Sequence, residues 1–427
     1  MFAVDELKSD DKSSCVAGPF GSSISSKYFV DKGIPVIRGS NLTAGGKRFV
    51  SDVFVYVSEE RARKYAAQHV VKDDLVFTCW GSIGHIGIIP KDGPFEEYII
   101  SNKQLKLRVN KDIVRPLYAY LYFASSLGVD YVKSYAKGAA VPGISLGILK
   151  GLEVAVPSLP TQDRIVSLIS TYDDLIENNT RRIEILEEMA RRLYEEWFVH
   201  FRFPGHEAVS FKDSELGRIP EGWEYASLES FGMILTGKTP SKKKPELFGN
   251  EVPFIKLPDM HGQIFITETN EGLSREGEET QKKKTVPANA ICVSCIGTGG
   301  IVVITSEPSQ TNQQINTVVP ARSDLREFLY FSALSLRDDI NNYGSTGATM
   351  TNLSRGKFAS LKVITPCEEI MSSYSKLTAP MFDRILNLQR ANRNLRAQRD
   401  LLLPKLVSGE IDVSNISLPD DKEVEAA

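Results

Sequence analysis

The stretch TQDRIVSLISTYDDLIENNTRRIEILEEMARRLYEEWFVH, residues 161–200, reads as one long helix, and the rest of the chain is organised around it. Its apolar seam runs Ile165, Ile169, Tyr172, Ile176, Asn179, Ile183, Leu186, Ala190, Leu193, Trp197. The steps alternate between four and three, the heptad rhythm of a stripe that faces a partner helix. Pro160 and Thr161 mark a start, and Pro204-Gly205 a stop. At about 1.5 Å per residue such a helix extends on the order of 60 Å, longer than most helices within globular domains. It needs a second strand.

That strand lies near the other end of the chain. Adding 209 to each seam position gives Tyr374, Thr378, Met381, Ile385, Leu388, Asn392, Leu395, Arg399, Leu402 and Leu406. Residues 161–200 hold five Arg against nine Asp or Glu, whereas residues 370–407 hold seven Lys or Arg against two Asp. An acidic and a basic helix suit one another, and each disfavours its own twin.

Ahead of each helix the repeat continues. Ile34-Pro35-Val36-Ile37-Arg38 answers to Val252-Pro253-Phe254-Ile255-Lys256, and the Cys79-to-Gly84 run to Cys295–Gly300. Asn102-Lys103-Gln104 matches Asn312-Gln313-Gln314, and Gly138-Ala139-Ala140 matches Gly347-Ala348-Thr349. Short β patterns broken by Gly, Pro and Asn fill both domains, with a helical patch near Arg115 to Phe123 in the first. The expected fold is α+β: two similar β-rich domains joined by two long helices that pair as an antiparallel coiled coil, one reader at each end of a ruler. The expected boundaries are 1–160 for the first domain, 161–200 for the first helix, and 201–369 for a connector and the second domain. The second helix then takes 370–410, and an acidic tail 411–427.

Composition narrows the function class. The 427 residues are 42% hydrophobic and 25% charged, typical of globular protein. No run approaches a membrane span, and the first twenty residues carry charges in place of a signal-peptide core, so a cytoplasmic location is expected. Five cysteines argue against a disulfide framework. A net charge of −3 excludes a uniformly basic nucleic-acid binder but not a locally basic one.

Two motifs mislead. Gly232-Met233-Ile234-Leu235-Thr236-Gly237-Lys238-Thr239 fits the phosphate-loop pattern, yet its interior reads as strand, and Pro240 and Pro245 forbid the helix that must follow. Cys292 and Cys295 form a CxxC with no second pair, as buried strand cysteines do. The chain has no Pro-Pro-Tyr element, no glycine-rich cofactor turn and no nucleophile elbow, so neither catalysis nor a metal is expected.

What remains is a set of polar loops suited to duplex DNA. In the first domain these carry Arg38, Ser40, Asn41, Lys47, Arg48, Asn102, Lys103, Gln104, Lys133 and Lys137. In the second they carry Lys238, Lys242, Lys243, Lys244, Lys256, Lys282, Lys283, Lys284, Asn312, Gln313 and Gln314. Lys and Arg neutralise phosphates, Arg pairs bidentately with guanine, and Asn or Gln with adenine. A scaffold joining protein partners through two β-rich modules is the alternative.

Nearly the whole chain resembles the specificity subunit of type I restriction-modification systems. The carrying residues are Gly21-Ser22, Ile34 to Gly39, Gly81 to Gly84, and Val154 to Gln162 running into the long helix. Ile219-Pro220-Glu221-Gly222-Trp223 with Thr236 to Ser241 is similar to that family's second-domain opening, and Leu403 to Ile411 to its ending. The resemblance implies two target recognition domains, each reading half of a split DNA site, with helix length fixing the unread spacer. It implies no cofactor in this chain: two modification subunits bring S-adenosylmethionine, and restriction (endonuclease and translocase) subunits bring ATP hydrolysis. The first domain lacks a Pro-Glu-Gly-Trp opening before Val16, so its first strand is expected to begin differently.

Overall fold

The computed structural model describes residues 1–43, 47–136, 142–215, 217–344 (backbone alone at 343 and 344), 351–414 and 416. Lys137 and the two Gly-Ala segments of the repeat lie outside them. The chain divides into two compact units, Met1–Asp174 with Leu395–Ala427, and Leu175–Asn394.

In the first unit, a four-stranded sheet takes the order Cys15–Ala17, Gln104–Leu107, Leu75–Thr78, Ile86–Ile88. A five-stranded sheet takes the order Phe29–Val30, Val55–Val57, Ile34–Ile37, Glu97–Ile100, His69–Val71, with the third and fourth strands parallel. The second unit repeats the first order, and the second order without its last strand. Gly232–Thr236, Ile315–Pro320, Ile291–Ser294 and Val302–Thr305 are neighbours in one sheet, with Phe265–Ile266 added at its edge. Phe248–Gly249, Gly272–Leu273, Val252–Ile255 and Gln310–Thr311 form the other, its last pair again parallel.

The helices repeat as well. Pro116–Ala124, with proline in its first turn, and Ser126–Ser134 answer to Arg326–Ser335 and Arg337–Gly344. Ser145 and Ser354 cap the next helix in each unit, accepting from Ile148 N and Lys357 N. The missing opening of the first domain is supplied by Phe2–Ala3, which pairs antiparallel with Glu153–Val154 as Glu224–Ser227 pairs with Lys362–Thr365.

The long helices span Leu159–Tyr194 and Glu368–Ser408. The first then widens into a π turn, Glu195–Val199, which turns Trp197 and Phe198 into an aromatic core with Tyr194, Trp223, Phe328 and Tyr374. Pro380 and Pro404 lie inside the second helix, each removing one backbone donor.

Every seam position is buried or half-buried. In the first unit, Ile165 and Ile169 share a core with Leu403 and Leu406, and Arg399 Nη1 donates to Asp173 Oδ1 at 2.8 Å. In the second, Asn179 meets Asn392, and Tyr374 Oη donates to Ala190 O at 3.1 Å. Rising positions on one helix meet falling positions on the other, so the pairing is antiparallel in both units.

Candidate nucleic-acid interface

Each domain gathers loops at one place, and the same backbone bonds hold them in both. Where Cys15–Ala17 ends, an added Cβ on Gly18 would sit 1.8 Å from Ser101 O, so only glycine passes the 101–104 turn. That turn receives Cys79 N on Lys103 O at 2.8 Å, and Ile144 N returns to Cys79 O at 3.0 Å. Ser101 N donates to Ile37 O at 3.3 Å, tying in the 38–41 loop, where Arg38 N donates to Asn41 Oδ1 at 2.8 Å.

The second domain copies the frame. Lys238 N donates to Thr311 O at 2.9 Å, and a Cβ on Gly237 would meet Thr311 O and Asn312 O at 2.2 Å. Cys295 N donates to Gln314 O at 2.8 Å, Leu353 N to Cys295 O at 2.9 Å, and Asn312 N to Ile255 O at 3.1 Å. Lys256 N donates to Asp259 Oδ2 at 2.8 Å, in the role of Arg38 with Asn41.

This frame explains the misleading motifs. Gly232–Thr236 is a strand, and Gly237-Lys238 turns across a neighbouring loop with no helix behind it. Cys292 and Cys295 are buried; burial pushes the first thiol up to about 12 and the second to about 11, which suits packing and opposes metal binding. Among the described residues no cluster suited to a metal occurs.

The expected contact residues separate by exposure. Arg38, Ser40, Lys47, Asn102, Lys103 and Lys133 are exposed in the first domain, as are Lys238, Lys242, Lys243, Lys244, Lys282, Lys283 and Gln313 in the second. Lys284 and Gln314 are half-buried. Lys282 pairs with Glu279 at 2.7 Å, and half-buried Lys256 pairs with Glu271.

Four expectations need correcting. Asn41 is buried and donates to Val50 O at 2.9 Å and Val53 O at 3.1 Å. Gln104 is buried, and its Oε1 accepts from Ser101 N at 2.9 Å. Buried Asn312 bonds Gln314 through both ends of its amide, at 2.9 and 3.0 Å. Arg48 reaches the first long helix, donating to Asp173 Oδ2 at 2.8 Å and Ser170 Oγ at 3.0 Å. These four side chains build the frame, because each is tied by hydrogen bonds to groups inside the protein.

No Asp or Glu occurs in 18–28, 38–43, 79–85 or 101–104, nor in 237–244, 295–300 or 311–314. Beside these loops, Asp259 is buried on backbone and Asn270 amides, and Glu271 and Glu279 pair with Lys256 and Lys282. Loops that carry lysines, an arginine, amides and hydroxyls, with no acid within the ranges given, suit a polyanion. Sequence reasoning passed over two exposed aromatics in the first set, Phe20 at 91% exposure and Trp80 at 50%. The available signal was an aromatic flanked by Pro19 and Gly21, outside any apolar pattern.

The type I restriction modification DNA specificity domain matches residues 21–188 and again residues 220–390. The type I restriction enzyme HindI specificity subunit of Haemophilus influenzae is 34% identical over 379 residues, covering 75% of this chain and 83% of that protein. The MjaIX specificity subunit of Methanocaldococcus jannaschii is 25% identical over 404 residues, covering 94% and 92%. In fold alone, the crystal structure of the type I S subunit from M. genitalium is similar, with a TM-score of 0.56 at 14% identity and coverage of 97% and 96%. Matched twice by the family's domain and related over three-quarters of its length to a curated member, the chain belongs to the specificity subunits of type I restriction-modification systems, the non-catalytic DNA-recognition components of those systems.

Proposed function

We propose that each domain of this chain reads one half of a bipartite duplex site, and that the paired helices set the unread spacer between the halves. The observation that carries the reading is the duplicated loop frame: the same backbone bonds in both domains present different side chains, and the frame's Asp259 is buried. A shared frame with divergent chemistry is what two readers of different sequences need. The chain works with modification and restriction subunits in the cytoplasm. Two modification subunits, one per half-site, bring S-adenosylmethionine, and the restriction subunits bring ATP hydrolysis. The helices and the segments leading into them form the docking surface for the modification subunits.

The test is to co-express the chain with the modification subunit of its own system and map methylated bases by sequencing. Two short blocks with a fixed gap are expected. A continuous motif, or methylation without sequence preference, overturns the reading.

A further inference from the structure

Phe20 is almost wholly exposed, at 91%, although a solvated benzyl group gains nothing from water. Its loop is nonetheless firmly braced. Ser23 Oγ donates to Phe20 O at 2.7 Å, and Asn102 Nδ2 donates to Gly21 O at 2.9 Å. Arg61 donates twice to Ser23 O, at 2.7 and 3.1 Å, while its guanidinium lies 3.4 Å from the Tyr28 ring centroid. Gly21 takes φ +61°, the left-handed conformation that lets the chain turn sharply behind the aromatic.

Across the Asn102-Lys103 turn stands Trp80, half open. Its ring lies against the backbone at Gly143, where an added Cβ would come within 2.6 Å of Cε3. Two aromatics thus flank a turn bearing an exposed Asn and Lys, in loops without any carboxylate. The second domain keeps the frame and replaces both: Thr239, bonded to Gln313 at 2.6 Å, stands at the position of Phe20, and Ile296, half-buried, at that of Trp80. The aromatics therefore belong to what the first domain reads and not to how the fold stands up.

We infer that Phe20 is a stacking residue that inserts against a base step of the half-site read by the first domain, with Trp80 supporting the displaced base. Exposed aromatics beside phosphate-binding cations pack on base faces and wedge open base steps. This rests on the DNA reading above and adds that the first half-site is distorted on binding while the second is read without an aromatic.

The experiment uses the full chain assembled with its modification subunit on duplexes carrying 2-aminopurine at each position of the first half-site other than the methylated base. One position is expected to brighten on binding. Phe20→Ala should abolish that signal and weaken binding by roughly 5- to 150-fold, the range of one lost stacking contact. Phe20→Trp should restore both. Because the side chain is solvated, the circular dichroism spectrum and melting temperature of Phe20→Ala should match the parent. If no position brightens, or if Phe20→Ala binds as the parent does while lysine variants at 242–244 bind less, the stacking role is overturned and the DNA reading stands. If the parent complex shows no preference for duplex, the reading beneath it fails.

Discussion

Asn179 donates its side-chain amide to Oδ1 of Asn392 at 2.9 Å, and Asn392 donates onward to Ile176 O and Thr180 Oγ1, both at 3.3 Å. The pair forms a polar layer inside an apolar seam, with Asn392 only 2% exposed. The 209-residue offset carries Asn179 onto Leu388 and Asn392 onto Ile183, so the repeat already contains the apolar version of this layer. Removing one partner leaves a polar atom of the other without its bond in the seam: Oδ1 of Asn392 or the side-chain amide N of Asn179. Asn179→Leu or Asn392→Ile alone should cost about 1–3 kcal/mol in urea unfolding of the full chain. The double variant, which copies the Leu388 and Ile183 side chains, should recover most of the loss. Costs that simply add would show that the two amides do not act as a unit.

Asp173 is held by two guanidiniums, Arg48 on Oδ2 and Arg399 on Oδ1, each at 2.8 Å. Arg48 therefore anchors its loop to the long helix and is not free to meet phosphate. Arg48→Ala should destabilise the first unit by about 1–3 kcal/mol, read as faster proteolysis or hydrogen exchange there, because it removes hydrogen bonds to a charged group. The salt dependence of DNA binding should stay as in the parent. A slope shallower by about one would return Arg48 to the phosphate contacts.

The two long helices were legible because heptad spacing survives as a one-dimensional pattern: all twenty seam positions, including Asn179, Asn392 and Arg399, face inward. The duplicated domains were legible for a similar reason, since short motifs such as Cys79-Trp80-Gly81 and Cys295-Ile296-Gly297 keep their order. The site was only partly legible. Asn41, Gln104 and Asn312 have the side chains that read adenine, but the same amides satisfy turns, and which use prevails depends on whether Val50 O, Ser101 N or Gln314 N comes within reach. Those atoms are brought near by the sheet, not by local sequence. Phe20 escaped notice because apolar residues are read as core unless the fold shows them outside.

Lys242, Lys243 and Lys244 are exposed, and no carboxylate occurs from 237 to 244. Each phosphate contact steepens the plot of log K against log salt by about 0.9. Changing all three to alanine should make the slope shallower by up to about 2.7. Target and non-target duplexes should lose affinity equally, because phosphates carry no sequence. A loss confined to the target would instead mark these lysines as base readers.

Glu327 is 1% exposed, and burial raises its carboxyl above the ordinary value of 4.5 despite the Arg326 guanidinium at 2.6 Å. A raised value means that folding favours the protonated form. The stability this contributes is full below 4.5 and is lost as pH climbs through the raised value. Glu327→Gln keeps the shape without the charge, and Arg326 retains Asp383 at 2.8 Å. The variant's melting temperature should therefore gain on the parent's as pH rises from 4.5 toward 7. A constant difference across that range would mean that the Arg326 pair fully compensates burial.

If the helices set the spacer, their length and their phase both matter, and the two can be separated. Seven residues inserted between the Asp173–Arg399 and Asn179–Asn392 layers, in both helices, keep the seam nearly in phase, with about 20° of drift, and add about 10 Å. That distance is about three base pairs at about 3.4 Å each, over which DNA turns through roughly a third of a revolution. A one-heptad variant should methylate weakly, at sites with the same two half-sites and a gap longer by about three base pairs. Three heptads add about 32 Å, close to one full turn of the duplex. That longer variant should therefore methylate better than the shorter one, with a gap longer by about nine or ten base pairs. Sequencing methylated DNA from cells carrying each variant reads both quantities. Altered half-site sequences would show that the domains do not read independently, and an unchanged gap would remove the helices from spacing altogether.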